Sequence, residues 1–430
     1  MTDAATRSDI ADAIEAAEAQ LRPERLIELC AAMVDIGSPT GQEATLARDL
    51  AARLGSLGLT SKVQDLGGDM ANAIGRRPGR GDGSSLLLYA PIDTVSVGDE
   101  SVDVPWIGPE LRDDMTPGAT VVDGMVIGLG AQNPKGHGAC ILAAVEALTA
   151  AGVELAGDLV VGFGAGGMPN NRWRHDLADG HGVGCARVVA AARPDAAVIA
   201  KTGWAVSWEE VGLTWFEVDV SGSHTYVGSR HLLPYRNAIA DAGVVIGELE
   251  RWFETWAEEH RDGLVAPQGV VAAIEGGWPH TAAFTTALCR FWVDLRLSPR
   301  TTPDDAAAAF GAELARIAQR VGAEVSWRQT VAIAGTTTPP DEAIITTTIR
   351  AWESLTGRVH EPIVGLSGAT DANILRAAGV PTARVGLPKV VRPDRDVDFQ
   401  FGMNAVDVDD MMRLSQLLVR TAIDYCEVAA

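Results

Sequence analysis

Hydrophobic and polar positions change their period along this chain, and the changes predict two kinds of architecture. Up to about residue 212, short apolar runs such as Leu86–Tyr89 and Asp158–Gly164 are typical of buried strands. Segments with helical spacing of apolar residues, such as Ala139–Ala150, lie between these strands. Strands that alternate with helices predict a largely parallel, doubly wound α/β sheet. From about Leu213, apolar and polar residues alternate instead, which is typical of antiparallel strands with one solvated face.

The alternating region is predicted to fold in the order strand, helix, strand, strand, helix, strand. Its elements are Thr214–Gly222, Asn237–Glu258, Val270–Glu275, Thr286–Leu297, Pro303–Val321 and Glu324–Thr330. This order is the ferredoxin-like split pattern. The first pattern returns afterwards, from the helix at Asp341 to the last helix, which ends near Glu427. We therefore predict an α/β domain formed by residues 1–212 and 331–430, with an α+β domain inserted at 213–330, called the insert below.

The composition narrows the classes of partner. With 47% hydrophobic and 21% charged residues, the chain has the composition of a soluble globular protein. Its net charge of −22 argues against a nucleic acid or an anionic membrane surface as partner. The five cysteines are scattered, the first residues do not resemble a secretory leader, and no apolar run approaches the length of a membrane span. These features predict reduced thiols and a cytoplasmic protein.

Two stretches carry candidate chemistry in the first region. Leu86–Val95 is predicted to be a buried strand followed by an acid, Asp93, at its carboxyl end. Ligands of open α/β sheets bind at that edge. Asp123–Gly136 has the pattern of a turn, a short strand and a Gly-rich loop that contains Asn133, before a helix from about Lys135.

Together these stretches resemble the dizinc amidohydrolases and exopeptidases, a family that includes acetylornithine deacetylase, succinyl-diaminopimelate desuccinylase, aminoacylase and carboxypeptidase G. The family motifs are Gly-His-x-Asp-Thr-Val and Gly-Ala-x-Asp-x-Lys-Gly. In this chain Pro91 replaces the His, and Asn133 replaces the metal-bridging Asp. The resemblance covers nearly the whole chain and implies a zinc-exopeptidase-like doubly wound sheet with a ferredoxin-like dimerisation domain.

The resemblance also implies that the family's zinc ligands have been replaced. The five ligand positions are occupied by Pro91, Asn133, Met168 (or Gly167), Lys201 and Phe401. Gly167 stands where the family has its general-base Glu. Proline and phenylalanine offer no donor atom and an ammonium group repels a cation, whereas zinc needs several His, Cys or carboxylate donors. We therefore predict no dizinc site and no other cofactor, with Lys201 occupying the space of the former cations beside Asp93.

Residues on the substrate side match the family better. His224 matches a His that reaches the neighbouring subunit's active site and stabilises an oxyanion. Asn237 matches an Asn that contacts the substrate carboxylate. Arg296 matches an Arg suited to carboxylate recognition, and an ion pair with Asp294 is its competing role. The stretch Gly365–Asp371 resembles the family's Gly-Gly-Thr-Asp-Ala loop, where the Asp opens the following helix.

These matches define the candidate site residues. The catalytic candidates are Lys201, His224 and Asp93. The substrate-binding candidates are Asn133, Arg172, Arg174, His175, Asn237, Arg296, Ser367, Gly368, Thr370 and Asp371. The basic cluster at 172–175 is interpreted as a new polar surface, and a solvated loop is the alternative.

Three functions are compatible with this sequence. The first is a metal-independent enzyme that hydrolyses an amide, ureido or related C–N bond of a small carboxylate-bearing molecule. In it Lys201 supplies the positive charge, or acts as a base or Schiff-base nucleophile. The second is a binding protein that holds such a ligand without turnover, and the third is a hydrolase with one relocated metal at Asp93, His137 and His224. The family's use of the His at position 224 predicts a homodimer formed through the insert.

Overall fold

The computed structural model describes residues 2–81, 83–168, 182–392 and 396–427. Within these ranges the protein forms twelve α-helices and fifteen strands. The strands are β1 (Thr60–Gly67), β2 (Met70–Arg77), β3 (Leu86–Pro91), β4 (Thr120–Val122), β5 (Met125–Ile127), β6 (Leu159–Gly164), β7 (Ala196–Ala200), β8 (Glu209–Glu210), β9 (Gly212–Ser221), β10 (Gly269–Gly276), β11 (Leu288–Leu297), β12 (Val325–Ile333), β13 (Thr336–Thr337), β14 (Thr382–Val385) and β15 (Ala405–Asp407). The helices are α1 (Thr2–Glu18), α2 (Pro23–Val34), α3 (Ala44–Ser56), α4 (Glu100–Asp103), α5 (His137–Ala150), α6 (Val183–Ala192), α7 (Ala238–Glu259), α8 (Pro303–Val321), α9 (Ala343–Thr356), α10 (Ala372–Ala377), α11 (Phe399–Asn404) and α12 (Val408–Cys426).

The central sheet has six strands in the order β1-β2-β6-β3-β7-β14. The neighbours β6, β3, β7 and β14 are parallel, and β2 is antiparallel to both β1 and β6. The predicted doubly wound, mostly parallel sheet is confirmed. Because these strands are parallel, the carboxyl ends of β3, β6 and β7 lie at the same end of the sheet, and the segments that follow them begin there.

Helices cover both faces of this sheet. Leu86 and Leu88 of β3 pack in a core cluster with residues of α2, α5 and α12. Leu87 and Tyr89 of the same strand pack on the opposite face with residues of α6 and α10. Successive side chains of a strand point to opposite faces, so the continuous apolar run in β3 is the pattern expected of a strand buried on both sides.

The insert forms a second sheet in the order β10-β11-β9-β12, with antiparallel neighbours throughout. Helices α7 and α8 contribute to the same core cluster as this sheet, and the rings of Phe216 and Phe310 stack 4.1 Å apart within it. The predicted order of elements in the insert is present. The division of the chain into the two domains 1–212 with 331–430 and 213–330 stays a prediction.

All five cysteines are buried, and none forms a disulfide. No helix in the described part of the chain is both long enough and apolar enough to cross a bilayer.

Candidate active site

A small cavity of about 60 Å³ lies where the insert meets the edge of the central sheet at which β3, β6 and β7 end. It is lined by Pro91, Gly167, Met168, Lys201, Leu213, Arg296, Ala369, Thr370 and Asp371. Most of the lining residues belong to two walls of the cavity. The strand-end wall comprises Pro91, Gly167, Met168 and Lys201, and the loop wall comprises Ala369, Thr370 and Asp371.

Asp93 holds the strand-end wall in place through hydrogen bonds to its backbone. Its carboxylate is almost fully buried and accepts hydrogen bonds from the backbone N–H groups of Gly167 and Met168, at 3.0 and 2.9 Å. The hydroxyl group of Thr40 donates a third, at 2.8 Å. Asp93 therefore holds the loop that follows β6, and it is absent from the cavity lining.

Lys201 follows β7 directly and is the cation of the strand-end wall. Its ammonium group makes no hydrogen bond and no ion pair within 4 Å to any residue in the described ranges, and its side chain is only partly exposed. Burial lowers the pKa of Lys201, and the negative charges of Asp93 and Asp371 oppose this shift. Lys201 and Asp93 do not form an ion pair within 4 Å, and the predicted placement of Lys201 in the space of the cations stays a prediction.

The loop wall is fastened to the rest of the fold by buried polar groups. The N–H and hydroxyl groups of Thr370 donate to the same oxygen of Glu210, at 3.1 and 2.6 Å. The other oxygen of Glu210 lies 3.1 Å from Nη1 of Arg384. Asp371 accepts a hydrogen bond of 2.6 Å from the hydroxyl group of Tyr89 on β3.

Two buried carboxyl groups near the cavity have raised pKa values. Burial raises the pKa of Asp371 to about 7, against the hydrogen bond from Tyr89, which lowers it. Burial and, next, the charge of Asp93 raise the pKa of Glu43 to about 7. Glu43 Oε1 accepts hydrogen bonds from two backbone N–H groups, one of them that of Gly166, whereas Oε2 is buried without a partner among the described residues.

Arg296 lines the cavity and also forms the ion pair considered as its competing role. Its Nε and Nη2 groups donate to the two oxygens of Asp294 at 2.8 and 2.9 Å. Among the described residues Nη1 makes no hydrogen bond, so one donor edge of the guanidinium group is left for a ligand. The pairing with Asp294 therefore orients Arg296 without using all of its donors.

Two further candidates on the insert lie away from the cavity lining. Asn237 caps α7, because its Oδ1 accepts a hydrogen bond of 3.1 Å from the N–H of Ile239. His224 is exposed, with its Nδ1 2.9 Å from the carbonyl oxygen of Thr285 and its ring stacked on Phe284. Within one chain the structure brings neither residue to the cavity.

The remaining substrate-binding candidates divide into three groups. Asn133 Nδ2 contacts the sulfur of Met403 at 3.6 Å, and its Oδ1 is buried without a partner among the described residues. Ser367 Oγ is also buried without such a partner, whereas Gly368 is exposed at the start of the loop wall. The basic residues Arg172, Arg174 and His175 lie outside the described residues.

The relocated-metal alternative is not assembled within one chain. Among residues 2–81, 83–168, 182–392 and 396–427, no three His, Cys, Asp or Glu side chains are grouped to hold a metal ion. His137 is buried, and its Nε2 accepts a hydrogen bond of 3.1 Å from the N–H of Leu387. Burial lowers its pKa well below the usual range, so the ring is neutral and already used by the fold.

Polar side chains that precede helices α3 and α10 bond elsewhere instead of capping them. Before α3 begins at Ala44, the hydroxyl group of Ser38 donates to the carbonyl oxygen of Ile92 and that of Thr40 donates to Asp93. Asp371 precedes α10 without capping it through its side chain, because that carboxylate is engaged by Tyr89.

Sequence reasoning missed four residues that shape the site. Tyr89, Glu43, Glu210 and Arg384 were not candidates, although all four are buried and polar or charged. Glu43 ends the stretch Ser-Pro-Thr-Gly-Gln-Glu directly before helix α3, and these turn residues are the local signal that could have drawn attention to it. Glu210 and Arg384 meet only in the folded protein, and local sequence carries no sign of their pairing.

Comparison with known proteins identifies the relatives of this chain. The profile of Peptidase family M20/M25/M40 matches residues 87–424, well over half of the sequence. The chain belongs to this family. The motif resemblance to dizinc amidohydrolases and exopeptidases is thereby confirmed.

One relative within the M20/M25/M40 family is the N-formyl-4-amino-5-aminomethyl-2-methylpyrimidine deformylase of Bacillus subtilis (strain 168). It is 26% identical over 307 residues, which are 66% of this chain and 66% of the relative. The chain thus spans just under two thirds of that protein's length.

Solved structures of M20/M25/M40 proteins share the fold over nearly the whole chain. Human carnosine dipeptidase 1 superimposes with a TM-score of 0.74 at 14% identity, covering 97% of this chain and 99% of its own. The di-peptidase Dug1p of Saccharomyces cerevisiae gives 0.73 at 12% identity with the same coverage, 97% and 99%. The M20 family metallo-carboxypeptidase Sso-CP2 of Sulfolobus solfataricus gives 0.68 at 13% identity, covering 94% and 99%. At these identities the likeness establishes the fold and nothing finer.

Proposed function

We propose that this M20/M25/M40 protein hydrolyses an amide, ureido or related C–N bond of a small carboxylate-bearing substrate without a two-zinc centre. The observation that supports the proposal is the cavity at the carboxyl ends of the parallel strands, whose lining includes Lys201, Asp371 and Arg296. The names of the deformylase and dipeptidase relatives describe cleavage of C–N bonds, which supports the reaction class.

The donor set at the former ligand positions does not fit two zinc ions. Pro91 has no donor atom, and Phe401 is buried in an apolar cluster with Met125, Val390 and Ala405. Asn133 and Met168 are neutral, and the ammonium group of Lys201 repels a cation. Zinc sites in proteins use three or four His, Cys or carboxylate donors, and the five positions supply none.

Lys201 carries the central role in the proposed reaction. Its ammonium group offers positive charge to the carbonyl oxygen as that oxygen becomes an oxyanion, the task that a metal ion performs in the family. Asp93 acts as a positioning group, because it holds the loop that carries Gly167 and Met168. His224 is proposed to act from a neighbouring subunit, since it is exposed on the insert and does not line the cavity of its own chain.

Turnover of a panel of N-formyl, N-acetyl and N-carbamoyl amino acids tests the proposal, together with elemental analysis of the purified protein. We expect turnover that resists chelators, no stoichiometric zinc, and a loss of about 10²- to 10³-fold on Lys201→Met, the size typical of removing one oxyanion-stabilising group. Lys62→Met is the matched control, because Lys62 is exposed on strand β1. About one transition metal per chain, with activity lost to chelator and restored by the metal, would refute metal independence. Binding of panel compounds without turnover would favour the ligand-binding alternative.

We also propose that the protein is a homodimer formed through the insert. Exposed apolar side chains lie on α7 and on the edge strand β10, namely those of Ile239, Val244, Val270 and Ile274. On α7 a side chain added at Gly243 would meet nothing within 4 Å, so this helix face is open to close approach by a second helix.

Light scattering at micromolar concentration should give the mass of a dimer, and Gly243→Arg should shift the protein toward monomer by obstructing this face. Ala52→Arg serves as a control, since Ala52 is exposed on helix α3, away from the insert. A wild-type protein that is entirely monomeric would remove the proposed role of His224 across the interface.

A further inference from the structure

The position that matches the family's general-base Glu is a glycine in this chain, and two acidic side chains lie close to it in the structure. Gly167 stands where the resemblance puts that base, and it has no side chain. A Cβ atom built on Gly167 would lie 2.9 Å from Asp93 Oδ1 and 3.4 Å from Asp371 Oδ2. Carboxyl groups carried by two other elements of the fold therefore border the position from which the family's Glu side chain would project.

The two carboxyl groups differ in their access to the cavity. Asp93 accepts hydrogen bonds from Thr40, Gly167 and Met168 and does not line the cavity. Asp371 lines the cavity and accepts a hydrogen bond of 2.6 Å from Tyr89. Tyr89 is itself fully buried, so this bond fixes the carboxylate against the central sheet. Of the two acids, Asp371 is the one placed to contact a bound substrate.

We propose that Asp371 is the catalytic acid–base residue of the cavity and takes over the task of the missing Glu, an inference that rests on the proposed hydrolase function. The Asp371 carboxylate accepts a proton from a water molecule as the water oxygen bonds to the carbonyl carbon. The carbonyl oxygen becomes an oxyanion facing the Lys201 ammonium. Asp371 then returns the proton to the nitrogen of the leaving amine as the C–N bond breaks. One water is consumed, one acid and one amine are formed, and both side chains regain their starting protonation.

The surroundings of Asp371 suit this role. Among the described residues, the titratable groups that face it are those of Tyr89, Asp93, Cys185, Lys201 and Glu210. Burial raises the pKa of Asp371 to about 7, with the nearby acids adding to the rise and Tyr89 and Lys201 opposing it. A general base with a pKa near the working pH combines basicity with a large ionised fraction. Because the base must be ionised, the rate should rise with pH through about 7.

Tyr89 is the positioning residue of this pair. Its hydroxyl group donates to Asp371 and stabilises the charged carboxylate, so Tyr89→Phe should move the acid limb of the pH–rate profile to higher pH. The phenylalanine ring keeps the volume of the tyrosine ring, which limits the disturbance of the core. A residue with a purely structural role would change the rate at all pH values without moving the limb.

The first test measures turnover of the N-formyl, N-acetyl and N-carbamoyl amino acid panel against pH. We expect Asp371→Asn to lower kcat at least 100-fold with less than a threefold change in KM, and Tyr89→Phe to shift the acid limb upward. Should Asp371→Asn fail to fold, the Tyr89→Phe profile decides alone. A retained kcat in Asp371→Asn, or an unmoved limb in a folded Tyr89→Phe, overturns the assignment.

The second test needs no substrate and separates this assignment from the proposed function. Infrared difference spectra of the resting protein between pH 5 and 9 should show protonated carboxyl bands that disappear near neutral pH. Asp371→Asn should remove one of them, and Glu43→Gln should remove another, because the pKa of Glu43 is also raised to about 7. Absence of a band assigned to Asp371 overturns the acid–base role even if the wild type is active. If the wild type turns over no panel compound, the proposed function fails, and a band assigned to Asp371 would still identify it as a proton-exchanging group of the cavity.

Discussion

The two walls of the cavity are built on different principles. The loop wall is held by buried ionic and hydrogen-bonding groups: Thr370 donates twice to Glu210, which pairs with Arg384. The strand-end wall has neutral or apolar groups at three of its positions and a single cation, Lys201, that forms no close ion pair among the described residues. The loop wall therefore depends on buried hydrogen bonds and an ion pair, whereas the charge of the strand-end wall has no close ion-pair partner among the described residues.

This difference separates the buried pairing of Glu210 with Arg384, which maintains the shape of the loop wall, from Lys201, which is proposed to act on the substrate. A buried carboxylate with a guanidinium partner is costly to change, since removal of one partner leaves the other uncompensated. The loop wall is also where the motif resemblance to the family is closest. At the strand-end wall, where the resemblance places metal ligands and the general base, the side chains of Pro91, Gly167, Met168 and Lys201 include no carboxylate and no imidazole. Three variants probe this contrast.

Arg384→Met should have the largest effect on stability. It leaves Glu210 buried with only the hydrogen bonds from Thr370, and loss of one partner from a buried ion pair typically costs about 3–5 kcal/mol. Urea unfolding should show this decrease in the free energy of unfolding. Arg413→Met is the control, because Arg413 forms an exposed pair with Asp410 one helical turn away. A decrease no larger than that of the control would mean that the loop wall does not depend on its buried charges.

Glu43→Gln should alter the pH dependence of stability at the strand-end wall. The folded state raises the pKa of Glu43 from 4.5 to about 7, so its favourable contribution is complete below pH 4.5 and is lost as pH rises through 7. At 1.36 kcal/mol per pKa unit, the wild type should lose about 2–3 kcal/mol from this group between pH 5 and 8. Glutamine does not titrate but retains an acceptor for the Gly166 N–H, so the variant should lose less. The free energy of unfolding is measured for both proteins by urea unfolding at pH 5 and pH 8. Equal decreases in the two proteins would contradict the raised pKa of Glu43.

Arg296→Ala should have the smallest effect, and on ligand binding rather than on the fold. We expect N-acetylglycine or N-carbamoylglycine to bind more weakly by more than about 1 kcal/mol, which corresponds to one charge-assisted hydrogen bond. Titration calorimetry measures this change. Asp294→Asn removes the partner of Arg296 while leaving its guanidinium group in the cavity. If both variants weaken binding equally, or neither does, Arg296 serves only to pair with Asp294.

Periodicity predicted the elements well where burial is uniform along them. Helix α8 has the predicted bounds, and β3 begins at the predicted residue, because local apolar spacing and turn residues determine both. The short pairings of β8 with β13 and of β15 with β5 were not predicted. These strands have two or three residues, which is too few for a period to be recognised, and their partners are distant in sequence.

The candidate site was predictable where a motif carries the residue and not where only the fold unites the groups. The motifs led to Lys201, Thr370 and Asp371, which the structure brings to one cavity. Asn237 was also singled out by a motif, yet within this chain its side chain caps a helix. Tyr89 and Asp371 are 282 positions apart in the sequence, and no local pattern predicts that they form a hydrogen bond.

The tight packing around Gly167 limits which residues this position can accept. A Cβ atom at this position would approach the Pro91 side chain to 2.8 Å and Asp93 to 2.9 Å, closer than such atoms come in real structures. Any side chain at 167, an acid included, would therefore strain the fold unless its neighbours changed with it. We expect that a metal site could be engineered here only by replacing Gly167 together with Pro91 and the other ligand positions, so a series of single substitutions would not reach it.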